Sequence, residues 1–153
     1  YSLISRGIED EVLPTARELG IGITAYGVLS RGLISGHWST RRSDQPDFRS
    51  RLPRFRGDNL DRNLALVDAL REVAAARGAT VAQLAIAWVL HQGDDIVPLI
   101  GARRRDRLAE ALAAAELQLS ATDLEQIQTA IPPDSAAGTR YDATQMAALD
   151  SER

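Results

Sequence analysis

Two short apolar runs, far apart in the chain, set what it can fold into. Ile21 to Tyr26 ("IGITAY") and Asp95 to Ala102 ("DIVPLIGA") are nearly continuous in hydrophobicity and rich in β-branched residues. That is the pattern of strands buried on both faces of a parallel sheet. Helical periodicity fills the sequence around them. The order reads helix, strand, long loop, two helices, strand, helix, helix, which argues a parallel α/β architecture. Two strands alone do not make a stable sheet, so the sequence is expected to complete something larger or to pair with itself. Its abrupt start at Tyr1, without Met, reads the same way.

The helices carry recognisable signals. Residues 8–19 place Val12, Leu13, Ala16 and Leu19 on one stripe behind Glu9, Asp10 and Glu11, with Gly20 as the stop and Pro14 confined to the first turn. Gly20, Gly22 and Ala25 formally match the spacing of a dinucleotide fingerprint. That motif must follow a strand and open a helix; here the order is reversed, so Gly20 is read as a helix stop. Residues 59–77 form an amphipathic helix ended by Gly78. Thr80 with Gln83 makes a capping box for an almost wholly apolar helix. "RRRDRLAEALAAAEL" (103–117) reads as a helix, and Ser120 with Asp123 caps another that Pro132 and Pro133 terminate. The tail, 132–153, is polar and Ala-rich. Residues 37–58 show no periodicity and carry six arginines against three aspartates. Loops of that length are commonly functional lids.

Composition removes several function classes. A net charge of −3 argues against a dedicated nucleic-acid partner, and no apolar stretch is long enough to span a membrane. With no cysteine, thiolate chemistry is excluded, and His37 and His91 match no ligand spacing, so no metal is expected. No signal-peptide pattern occurs, and a cytoplasmic location is expected. All eighteen basic residues are arginine, so no lysine chemistry resides here.

In parallel α/β proteins ligands bind at the carboxyl ends of strands. Both ends are unusual here. After the first strand comes "AYGVLSRGL"; after the second, "GARRRDR", with four arginines inside five residues at a helix start. Cations there oppose the helix dipole. A phosphate monoester would reverse that penalty and use the unsatisfied N–H groups, with Gly101 allowing close approach and Arg103 and Arg107 one turn apart. A solvated arginine face paired with Asp106 and Glu110 is an equally open reading. Tyr26 fits either core or ligand contact, and "LSRG" either a plain turn or a site.

These two stretches carry a family resemblance. "YSLISRGIEDEVLPTARELGIGITAYGVLSRGLISG" resembles the aldo-keto reductases, whose seventh barrel strand ends in a "YSPLGRG"-like turn. "IVPLIGARRRDRLAEAL" resembles their "IPIPGTRxxxRLxEN" after the eighth. The resemblance covers nearly all 153 residues. It implies the C-terminal portion of a (β/α)8 barrel, incomplete on its own, forming a single partial domain over 1–153. The implied activity is reduction of aldehydes and ketones to alcohols by hydride transfer from NADP(H), with a small carbonyl compound as partner. On the resemblance Tyr26 would stack on the nicotinamide ring. Gly27, Leu29, Ser30, Arg31 and Gly32 would line the pyrophosphate. Gly101, Ala102, Arg103 and Arg107 would take the 2′-phosphate, with Glu110 near the adenine and 37–58 as a lid whose arginines suit an anion beneath. Gly27 and Val28 depart from the family's Ser-Pro, Ser30 from its Gly, and Ala111 from the Asn beside Glu110.

The family's proton donor is a Tyr assisted by Lys, Asp and His. Without a lysine, and with Tyr1, Tyr26 and Tyr141 in other contexts, no catalytic residue is assigned here, and the chain alone is expected not to turn over substrate. A barrel takes about 250 residues, so the tetrad is expected outside this sequence. The rivals are a non-catalytic NADP-binding regulatory subunit on the same barrel and an unrelated phosphate-binding α/β module. Substrate identity and oligomeric state are not legible.

Overall fold

A computed structural model describes residues 1–38 and 47–149. Helix α1 (Val12–Glu18) leads into strand β1 (Ile23–Ala25), followed by a tight 3₁₀ segment, Ser30–Ser35. Two further 3₁₀ turns, Phe48–Arg51 and Pro53–Phe55, precede α2 (Gly57–Ala76) and α3 (Val81–His91). Strand β2 (Ile96–Pro98), α4 (Arg105–Ala113), a 3₁₀ turn, α5 (Ala121–Ala130) and the short α6 (Ala143–Met146) complete the order. The expected α/β sequence of elements is present, with shorter strands and an additional helical turn in the tail.

The two strands pair in parallel, Ile23 opposite Ile96 and Ala25 opposite Pro98. Leu99 N donates to Ala25 O at 2.8 Å, so Pro98, which has no N–H, breaks nothing in this ladder. The expectation of burial on both faces holds for only one of them. Ala25 and Ile96 are buried, whereas Ile21, Val97 and Leu99 are each more than half exposed. The bare face carries Val97 and Leu99 beside the exposed Thr24, apolar strand surface of the kind that seeks a partner.

The core sits on the other side. Helix α3 is buried almost all round, from Val81 through Val89 apart from Gln83. It packs against α2, α4, β2 and the Ser30–Ser35 segment. Its own Leu84 is fully enclosed, as are Leu33, Ile34, Leu70 and Ile127 in the same core. Both capping boxes form: Thr80 N donates to Gln83 Oε1 at 2.8 Å, and Ser120 N to Asp123 Oδ2 at 2.7 Å. Each satisfies two of the donors a helix start leaves open and contributes about 1 kcal/mol.

The tail is stapled to this body. Buried Asn63 donates to Arg54 O and Ala137 O and accepts from Ala137 N at 2.8 Å. Gly138 has φ +81° and passes so close to Pro53 that a Cβ would stand 3.0 Å from its carbonyl, which requires glycine there. At the far end of the strands, Arg17 forks onto Asp95 with Nε–Oδ2 at 2.8 Å, tying α1 to the start of β2. Among the described residues no single helix is long and apolar enough to cross a membrane.

Candidate functional site

The chain leaves β1 through a turn that L-residues rarely adopt. Gly27 (φ +72°), Ser30 (φ +46°), Arg31 (φ +57°) and Gly32 (φ +93°) are all left-handed. For Ser30 and Arg31 this costs roughly 1–2 kcal/mol each, and such strain collects at functional sites. Ser30 N bonds to Gly27 O and Gly32 N to Leu29 O, closing two successive tight turns. Buried Val28, Leu33 and Ile34 root the segment in the core.

The chain leaves β2 quite differently. Residues 101–106 are exposed throughout, and a Cβ on Gly101 would meet no atom within 4 Å. The helix begins two residues later than its sequence suggests. Arg104 is the N-cap and Arg105 the first helical residue, so Arg103 precedes the helix and does not share a helical face with Arg107. This corrects the one-turn spacing argument, because "GARRR" has no capping side chain to start a helix earlier.

An open cleft of about 680 Å³ lies between the two strand ends. It brings together Tyr26, Gly27, Leu29, Arg31, Gly32, Gly101, Ala102, Arg103, Arg107 and Glu110, ten of the eleven residues singled out from sequence. Ser30 is the exception. It is buried on the opposite side of the turn, facing a small void beside Tyr1 and Ser5. The wall also contains Arg104 and His37, which sequence reasoning passed over. Arg104 follows from the late helix start. His37 had no local signal, because the contact that places it spans 73 positions.

The arginines differ in how they are occupied. Arg104 forks onto Asp106 at 2.9 and 3.0 Å, on the surface. Arg107 Nη1 donates to Glu110 Oε2 at 3.0 Å and also contacts His37 Nε2. His37 Nε2 itself lies 3.1 Å from Glu110 Oε2. Burial, the strongest single influence on Glu110, pushes its carboxyl up. Hydrogen bonds from Thr80, His37 and Arg107 together outweigh it and hold the carboxyl below the usual range. Among the described residues Arg103 has no carboxylate partner. The solvated-pair reading therefore describes Arg104 and Arg107, and it leaves Arg103 uncompensated at the cleft wall.

Tyr26 is half-exposed at the cleft mouth, its hydroxyl 3.4 Å from that of Tyr141, a weak contact at that length. Arg31 stands 4.5 Å over the Tyr141 ring. The loop arginines expected to face an anion are divided. Arg49 and Arg54 spend donors inside the protein, on Arg31 O and on Ser5 with Gly138 O. Arg51 and Arg56 are exposed. Arg41 and Arg42, with the rest of 39–46, lie outside the described residues, as do 150–153 of the tail. Among the described residues no cluster of His, Asp or Glu has the makings of a metal site.

Comparison with known proteins identifies the family. The family model described as "Aldo/keto reductase family" matches residues 1–132. The chain is 40% identical over 141 residues to "Probable aldo-keto reductase 1" of Glycine max, covering 92% of this chain and 41% of the relative. It superposes on a glycerol dehydrogenase from Gluconobacter oxydans with TM-score 0.76 and 30% identity, over 85% of this chain and 40% of that one. It also matches an aldo-keto reductase from Klebsiella pneumoniae, crystallised in complex with NADPH, with TM-score 0.61 and 27% identity, over 93% and 40% of the two chains. The chain thus spans about two-fifths of the length of these relatives.

Proposed function

The chain belongs to the aldo/keto reductase family, and from that premise we propose that it is the C-terminal portion of a (β/α)8 barrel that grips NADP(H) for the reduction of a small carbonyl compound to its alcohol. Family membership retires the unrelated phosphate-binding module. The bare strand face, with Val97 and Leu99 exposed, is where preceding barrel strands would close over it.

The residues present fit the cofactor. The cleft offers guanidinium groups, the exposed backbone of Gly101 and Ala102, and an aromatic ring at its mouth. That donor set suits a dinucleotide carrying a dianion at one end. Bound NADPH supplies the hydride. Arg103 and Arg107 would hold the 2′-phosphate, the turn from Gly27 to Gly32 the pyrophosphate, and Tyr26 the nicotinamide face. Glu110 already neutralises Arg107, so exchanging that carboxylate for a phosphate brings only part of a full bond. Arg103 offers the larger gain. A charge-assisted hydrogen bond contributes about 1.5–3 kcal/mol, or roughly ten- to a hundredfold in affinity.

The proton-donor role is assigned to none of the described residues. Tyr1 Oη donates to Glu9 Oε1 at 2.5 Å, and burial first, then Glu9, pushes its hydroxyl above the usual phenol range. The proton donor is assigned to the part of the protein beyond this chain, and residues 1–153 by themselves are expected to give no turnover.

The observation that carries the reading is Arg103, at the cleft wall without a carboxylate partner among the described residues. Titrating the intact protein with NADPH and NADH tests it. NADPH is expected to bind more tightly, and Arg103→Ala to remove most of that preference. Equal affinities in the unaltered protein overturn it.

A further inference from the structure

The left-handed turn after β1 needs an external brace, and Arg49 provides it. Its Nη1 donates to Arg31 O at 2.9 Å and lies 3.5 Å from where a Cβ on Gly32 would stand. The guanidinium is itself immobilised from three sides. Nε and Nη2 bond to the Asp47 carboxylate. Asp47 also accepts from Arg49 N at 3.0 Å as the cap of its 3₁₀ turn. The indole of Trp38 lies 4.3 Å beneath, and that buried ring packs edge-on against Phe55 at 5.0 Å. Nε, Nη1 and Nη2 each commit an N–H within the protein. Arg49 transmits the rigidity of the core to a carbonyl at the centre of a strained turn.

We infer that Arg49 is a positioning residue: it locks Ser30 to Gly32 in their left-handed conformation and thereby pre-forms the surface that receives the dinucleotide's pyrophosphate. The second half rests on the functional reading above; the clamp itself does not. Two consecutive L-residues held at positive φ revert toward ordinary backbone once the surrounding contacts cease to over-determine them. Ordering the turn would then be charged to binding. The pyrophosphate is common to NADPH and NADH, so both should lose equally.

The test uses the intact protein with Arg49→Met, which keeps the apolar stem on Trp38 and removes every donor. Asp47→Asn serves as a milder second variant should the first fail to fold. Hydrogen exchange is followed over residues 28–36, and NADPH and NADH are titrated by equilibrium binding. Expected are faster exchange confined to those amides, and affinities for both dinucleotides falling by a common factor of roughly ten, the scale of one charge-assisted hydrogen bond. Unchanged exchange at the turn overturns the clamp. A loosened turn with unchanged affinities overturns its role in binding, and a loss confined to NADPH means Arg49 touches the 2′-phosphate and overturns it as well. If the unaltered protein binds neither dinucleotide, the functional reading fails and the claim about binding falls with it, while the exchange data still decide the clamp.

Discussion

The two strand ends that face each other across the cleft solve opposite problems. The end of β1 is braced: its turn is strained, half-buried, and tied from outside by Arg49 and from within by Ser35 Oγ, which donates to Gly32 O at 2.7 Å. The end of β2 is open: residues 101–106 are exposed and like charges crowd a helix start that lacks a capping side chain. One side stores its energy in conformation, the other in uncompensated charge. A pyrophosphate demands donors at fixed positions, which favours a rigid turn. A terminal phosphate is a compact dianion that flexible guanidiniums can follow. The contrast implies that damage to the first side costs stability and shape, and damage to the second costs affinity alone.

Breaking the braced side should produce the largest effect. Gly32 sits at φ +93° and ψ −1°, a region closed to β-branched side chains. Gly32→Val is expected to lower stability by about 1–3 kcal/mol, read as a reduced midpoint in denaturant, and to weaken both dinucleotides together. A variant as stable as the parent would show that the turn relaxes freely, and the comparison would lose its first half.

The open side should answer differently. Arg103→Ala is expected to weaken NADPH by roughly ten- to a hundredfold while leaving the melting temperature unchanged, since the side chain has no carboxylate partner among the described residues. Arg104→Ala is expected to matter only a few-fold, because Arg104 is a largely exposed guanidinium already paired with Asp106. If Arg104 proves the stronger determinant, the phosphate sits nearer the helix start than Arg103.

The same contrast explains what could be read in advance. The apolar runs, the two capping boxes and the glycine stops are local signals, so the element order was accessible, and the family resemblance named eleven site residues, ten of which line the cleft. The braced side was not. Arg49 reaches Arg31 across 18 positions and Asn63 reaches Ala137 across 74; neither follows from any period or motif. The arginine-rich loop read as a lid whose arginines suit an anion, yet Arg49 and Arg54 hold backbone carbonyls inside the protein. Ser30 fits a pyrophosphate turn by motif, but its positive φ and the burial of its neighbours direct it away from the cleft. Helix α4 starts late because its first residues repel one another and the dipole, an effect that apolar periodicity does not register.

Acid provides the smallest and most specific test. The Asp47 carboxyl is held below its ordinary value chiefly by the Arg49 side chain, and Asp106 chiefly by Arg104. A carboxylate whose pKa is depressed on folding contributes its stability fully above the unfolded value, near 4, and loses it as pH falls through the folded value. Between pH 8 and pH 5 neither pair changes. Below about pH 4 both carboxylates begin to protonate, with unequal consequences. Losing the Asp47 charge frees the guanidinium that braces the turn, whereas losing the Asp106 charge only releases an arginine already in solvent. Protection factors for residues 28–36, corrected for intrinsic exchange, should therefore fall on acidification while those at the start of α4 hold steady. Loss of protection at the turn already between pH 8 and 5 would mean that a group other than Asp47 controls the clamp, and equal losses at both ends would erase the distinction between braced and open.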